Sequence, residues 1–345
     1  MSPPELTFVC ELDVPRLTAL FADPSLMEDL RELRARVLVM LSDYRPDRAA
    51  AVQTLNRAGV PVVGVPLVPA DQGYYFTPDN IEQARASYDR FTAWTAEHGL
   101  AWDAVGLDIE PDAAFYWQII RNPWGLPGLL APRLADRQRV TRARAAYTTL
   151  VERIHTDGWT VENYQMPVIA DERHVGSTLL QQLLGLVDVP TDREVWMQYT
   201  SFMRGLGPGL LWSYGPESPA IAVGTTGGGP DVPGHPEMPT LSWEEFARDL
   251  RLARHWTDQV YVHSLEGCVW QGFLGRLRAF DWTQMHAPPP GTRQAELLRR
   301  ALRGMLWVSA HPVLVAAAVA AAGVGWRFGG RQARRPQRVP LAWRR

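Results

Sequence analysis

The chain has 345 residues, 46% hydrophobic and 21% charged, enough for one domain of roughly 250–300 residues plus an appendage. All 35 basic residues are arginine, which excludes Schiff-base, pyridoxal-phosphate, Walker-type and kinase-type chemistry, each of which needs a lysine. The net charge of −2 hides a division: residues 291–345 hold 11 arginines against one acid, so the body is acidic and offers nucleic acid no positive face.

The start, Met1 to Val9, lacks the basic residues and long apolar run of a signal peptide. Short apolar runs then recur at Leu6–Leu12, Arg36–Leu41, Val60–Val68, Ala104–Ile109, Thr160–Met166, Glu194–Tyr199, Ala220–Gly224 and Gln259–Leu265. Each is short enough, and rich enough in β-branched or aromatic residues, to predict a strand. Helical patterns lie between most of them: Asp47–Ala58, Asn80–Glu97, Arg137–Thr156 and Ser242–His255. The last opens with Ser242 three residues before Glu245, the spacing of a capping box. Eight strands alternating with helices predict an α/β fold, a (β/α)8 TIM barrel over residues 1–286, with a doubly wound open sheet as competitor. The glycine-rich stretch from Gly224 to Pro230 is followed by prolines rather than a helix and reads as a long loop, not a phosphate cradle.

Residues 287–304 read as a linker and the basic start of a helix. Residues 305–326 carry no formal charge and would reach about 33 Å as a helix, enough to span a bilayer core, with Trp307 and Trp326 near the ends. An arginine-rich tail, 327–345, follows. The expectation is a C-terminal single-pass membrane helix. Arginines after the span point the C-terminus to the cytoplasm and the barrel outside. Without an export signal the barrel itself reads as cytoplasmic. A helix lying on the inner leaflet is the third arrangement.

The chemistry concentrates in Trp102 to Asp112. Alternation along a strand puts Gly106, Asp108 and Glu110 on one face, at the C-terminal end of an apolar strand, where a barrel has its active-site mouth. Neighbouring carboxyls repel, so one keeps its proton to higher pH, as general-acid cleavage of a glycosidic bond requires.

These residues resemble the Asp-x-x-Asp-x-Asp-x-Glu signature of the chitinase-like glycoside hydrolases, family 18, through Asp103, Asp108 and Glu110, with Gly106 where the middle Asp would stand. The segment Met197 to Thr200 is similar to the family's Met-x-Tyr-Asp, matching at Tyr199, with Thr200 in place of the acid. The resemblance implies Glu110 as acid/base, Asp108 as its partner, a carbohydrate substrate and no cofactor. The two departures weigh against participation by a substrate acetamido group; where the substrate does not supply the nucleophile, a second protein carboxylate is needed, for which Glu266 is the candidate. Tyr164 is a candidate transition-state donor, and Asp103, Tyr75 and Trp117 are candidate substrate-binding residues. Fourteen tryptophans and the clusters Tyr74–Phe76 and Phe115–Trp117 suit flat contacts with sugar rings. Two other readings remain open. One is a barrel with degraded catalytic positions that binds carbohydrate or protein. The other is a Mg²⁺- or Mn²⁺-dependent barrel enzyme, such as a phosphodiesterase, using Asp108, Glu110, Glu266 and His263. Cys10 and Cys268 read as buried thiols.

Overall fold

The computed structural model describes residues 3–111, 126–136, 138–229, 238–284 and 287–314. Eight parallel strands close into a barrel in sequence order: β1 Glu5–Cys10, β2 Arg36–Leu41, β3 Val62–Pro66, β4 Ala104–Asp108, β5 Val161–Gln165, β6 Arg193–Met197, β7 Ala220–Gly224 and β8 Gln259–His263. Pairing of β1 with β8, Glu5 beside Gln259 through Val9 beside His263, completes the closure and excludes the open sheet. All eight predicted runs are strands.

The surrounding helices are α1 Val14–Phe21, α2 Pro24–Glu32, α3 Pro46–Arg57, α4 Ile81–His98, α5 Leu126–Ala135, α6 Arg139–Thr156, α7 Val168–Val175, α8 Leu179–Leu184, α9 Gly207–Tyr214, α10 Trp243–Trp256, α11 Leu265–Trp270, α12 Phe273–Arg278 and α13 Thr292–Ala310. The capping box before α10 forms on both sides: the Ser242 hydroxyl accepts from the Glu245 amide and the Glu245 carboxylate accepts from the Ser242 amide.

Two apolar layers follow from strand alternation. Outward-facing Phe8, Val37, Val39, Val105, Leu107 and Val262 meet the helices. Inward-facing Val9, Leu38, Val63, Val65, Val195 and Ala222 fill the barrel together with Tyr164 and Tyr261. The N-terminal end is closed by a buried ionic plug. Arg36 on β2 donates to Glu162 at 2.7 Å, to Asp103 at 2.8 Å and to the Tyr261 hydroxyl at 3.2 Å. Arg193 joins it through Glu5 at 2.8 Å. A guanidinium in this interior needs several acceptors to offset its desolvation, and the plug supplies them.

In the C-terminal region α13 starts at Thr292, runs through Met305 and docks on the barrel's outer layer through Ala295, Arg299 and Leu306. Among the described residues no helix is long and apolar enough to cross a membrane. Most of the expected span, residues 315–326, and the arginine-rich tail lie outside the described residues.

Candidate active site

The mouth is built from the C-terminal ends of β1, β4, β6 and β8 and the segment after β3. Beyond Asp108, β4 continues one step as Ile109 bridges to Phe76. The Phe76 amide donates to the Asp108 carbonyl and the Glu110 amide to the Phe76 carbonyl, both at 3.0 Å. This extra rung fixes Glu110 at the rim and brings Tyr74 and Tyr75 over the barrel. Tyr74 takes a left-handed backbone, φ 65°, rare for an aromatic residue, and its hydroxyl donates to Glu11 Oε1 at 2.8 Å.

Glu11, one residue beyond β1, is the centre of the cluster. Its Oε2 lies 3.4 Å from His263 Nε2, the last residue of β8. Asp108 and His263 are each only 6% exposed. Glu110 is partly exposed, and so can meet a ligand from solution. Burial and then the charge of Glu11 push the Glu110 carboxyl up to about 7, with His263 opposing. Asp108 is raised well above the ordinary carboxylate range by burial and by Glu110 and Glu11. Burial disfavours the His263 imidazolium, but Glu11, with Glu266 and Glu110, outweighs it and the net direction is upward. Tyr75 and Tyr199 are partly exposed beside the acids, and burial with these neighbouring charges keeps both phenols protonated. The Tyr199 ring centroid lies 5.5 Å from that of His263.

Three buried atoms here have no hydrogen-bond partner: Asp108 Oδ1, His263 Nδ1 and Glu266 Oε2. Such groups are costly unless a ligand or water satisfies them. Among the described residues no three His, Cys, Asp or Glu side chains are grouped to hold a metal ion.

The structure gathers Glu110, Asp108, Tyr199 and Tyr75, and separates them from other candidates. Asp103 lies at the opposite end of the barrel, where it pairs with Arg36 at 2.6 Å, so it does not face a substrate at the mouth. Tyr164 points into the barrel and donates to Glu162 at 3.1 Å, within the same plug. It occupies the space of the missing acid: a Cβ on Gly106 would stand 2.7 Å from the Tyr164 hydroxyl and 2.6 Å from Val65 Cγ2. Thr200 also turns away, its hydroxyl donating to Asp249 on α10. Trp117, with Phe115, Tyr116 and Trp124, lies outside the described residues.

Glu266 sits in the first turn of α11 rather than on β8, and is fully buried. Its Oε1 accepts from the Glu11 amide at 3.4 Å and the Gly229 amide at 3.2 Å. The glycine-rich loop lies directly on it, since a Cβ on Gly228 would come within 2.5 Å of Oε1. Glu266 therefore anchors this loop and the back of Glu11. Cys10 and Cys268 are buried free thiols close by, and burial with the Glu266 charge raises both. The sequence reading missed Glu11. Its signal was the alternation of Glu5, Thr7, Val9 and Glu11, which faces all four into the barrel and leaves an acid at each end.

No protein-family model matches the chain, and no curated protein matches its sequence. Solved structures similar to it include a xylose isomerase domain protein from Planctomyces limnophilus, at 10% identity and TM-score 0.45, over 81% of this chain and 98% of that one. A D-psicose 3-epimerase, in a structure determined in the presence of D-fructose, is 13% identical with TM-score 0.38, over 87% and 99% of the two chains. Gas2p of Saccharomyces cerevisiae, in complex with laminaritetraose and laminaripentaose, is 12% identical with TM-score 0.36, over 75% of this chain and 55% of that one.

Proposed function

We propose that the protein is a glycoside hydrolase-type enzyme in which Glu110 is the general acid. The observation that carries this reading is the pairing at the mouth: a solvent-reachable carboxyl held to about 7, beside Glu11, whose charge helps hold it there. Glu110 protonates the leaving oxygen. Glu11, positioned by the Tyr74 hydroxyl and His263, acts as the second carboxylate, either attacking the anomeric carbon or activating a water. This role moves from Glu266, whose Oε1 is committed to backbone amides. Asp108, its own carboxyl raised by burial and by Glu110 and Glu11, stands as the partner acid of Glu110. Tyr75 and Tyr199 offer partly exposed ring faces to a sugar. The family resemblance supports the same assignment of Glu110 and Asp108, but Gly106 and Thr200 argue for a protein nucleophile or base rather than a substrate acetamido group.

A glycan panel tests this, with wild type, Glu110→Gln and Glu11→Gln side by side. Turnover of a glycan by wild type, lost in both variants with the fold intact, supports the reading. A barrel that only binds glycan is favoured by the way Thr200 turns to Asp249, leaving β6 without the family's acid. Equal affinity in wild type and both variants, with no turnover, would establish that alternative.

A further inference from the structure

We infer that the outer face of α13 is a membrane-lying surface that holds the barrel against an anionic bilayer. The helix has two opposed faces. The inner one carries Arg299, whose guanidinium lies 2.9 Å from Asp171 on α7 and 2.9 Å from Glu217, and 3.7 Å from the Tyr214 ring centroid. Arg303 reinforces the same latch at 2.6 Å from Asp171. Asp171 is fully buried, so this cluster fixes the rotation of α13 about its axis.

The opposite face repeats at helical spacing through Leu297, Leu298, Ala301, Met305 and Val308, all exposed, the leucines at 61% and 50%. A second apolar stripe turned outward, on a helix whose inner face already buries Ala295 and Leu306 around the charge latch, departs from the usual order of a surface helix. Water alone gives no reason for it. Two features select lipid as the occupant. Arg293 and Arg300 are exposed along one margin of the stripe, as headgroup-reaching arginines would be. The sequence then continues through exposed Val313 and Leu314 into a charge-free run to Trp326, followed by seven arginines, a composition complementary to anionic lipid. This differs from a spanning helix: α13 itself lies in the interface plane.

The helix begins where Gly291 abuts Gly209 in the first turn of α9 and reaches, at Ser309, within 3.3 Å of Ser177 just past α7. Its inner face is therefore held at both ends as well as at the Asp171 latch, and the stripe stays turned outward along its length.

Flotation of the full-length protein with vesicles tests this, comparing phosphatidylcholine alone with phosphatidylcholine containing 30% phosphatidylglycerol, a probe composition of about one anionic lipid in three. Binding to the anionic vesicles is expected, weakened at least about a hundredfold by Leu298→Glu, Met305→Glu and Val308→Glu together, since each removes an apolar side chain that the bilayer would bury. The three positions are exposed, so thermal unfolding should be unchanged. If the triple variant does not fold, Leu298→Glu alone serves, with a loss of about tenfold. Binding that survives these changes would overturn the inference by assigning attachment to the tail. No binding to either vesicle would overturn it, and a wild-type dimer that the triple variant converts to monomer would assign the stripe to a second copy instead.

Discussion

Replacing Glu110 by Gln keeps the side chain's size and removes its acidic proton. With the carboxyl at about 7, about nine-tenths of Glu110 is protonated at pH 6 and about a tenth at pH 8, so kcat/KM should fall about tenfold per unit above neutrality. An ordinary glutamate would have lost its proton almost entirely by pH 6. Loss of a general acid costs about 10²–10⁴-fold, or about 3–5 kcal/mol of transition-state stabilisation. That loss should fall on substrates with poor leaving groups. An activated aryl glycoside, whose phenolate leaves unaided, should lose far less. The alkaline limb should also move with its causes. Glu11→Gln removes a charge that raises Glu110, so the limb should shift to lower pH in whatever residual activity remains. His263→Gln removes an opposing positive charge, so the limb should shift to higher pH. The assay is kcat/KM from pH 5 to 9 on a matched pair of substrates. Equal losses on both substrates in Glu110→Gln, or an alkaline limb that persists in that variant, would refute the assignment.

Asp108→Asn should abolish or strongly slow turnover yet raise thermal stability at pH 8 relative to wild type. A carboxyl raised by folding contributes stability below its unfolded value near 4 and loses it as pH rises through the folded value, so the gain should vanish at pH 4 in melts across that range. Gly106→Ala should destabilise by about 1–3 kcal/mol in urea titration, because Val65 and the Tyr164 phenol occupy the space of its Cβ. Glu11→Ala should be rescued by azide on an activated glycoside if Glu11 is the nucleophile, whereas Glu266→Ala should show no rescue; rescue of the second alone would return the role to Glu266. Arg299→Met combined with Arg303→Met should cost about 3–5 kcal/mol in denaturant unfolding, since it leaves Asp171 in the interior without either guanidinium partner, and Arg299→Met alone should cost less because Arg303 still pairs with it.

The barrel was legible because its signal is repeated. Eight runs of apolar residues at strand length, separated by amphipathic stretches ended by Gly59, Gly99 and Gly158, leave few architectures. The C-terminal helix was read as a basic start leading into a charge-free run, and what the sequence did not reveal is where its charges go. Arg299 and Arg303 look like a hydrophilic flank in sequence but turn inward to Asp171. Sequence periodicity reports which face is apolar; it cannot report which face is inside when a buried acid elsewhere on the barrel recruits the charged one.

The same limit governed the site. Asp108 and Glu110 stood out because two acids ending an apolar strand have no cheaper explanation. Asp103, five residues earlier, fitted the same motif, yet a strand of five residues separates the two ends of the barrel, and Asp103 belongs to the Arg36 plug. Motif spacing along a strand therefore mixed a floor residue with mouth residues. Glu11 was the opposite case. It follows Cys10 in a run that reads as an apolar strand ending in an incidental acid, and its partner His263 is 252 residues away. Only closure of β1 onto β8 makes them neighbours. A rule follows for barrels: the acid one residue past the first strand should be weighed against inward-facing residues of the last strand, because closure joins them whatever their separation. Here that rule selects Glu11 with His263 and passes over Glu266, which is closer to His263 in sequence but begins a helix and points behind the wall.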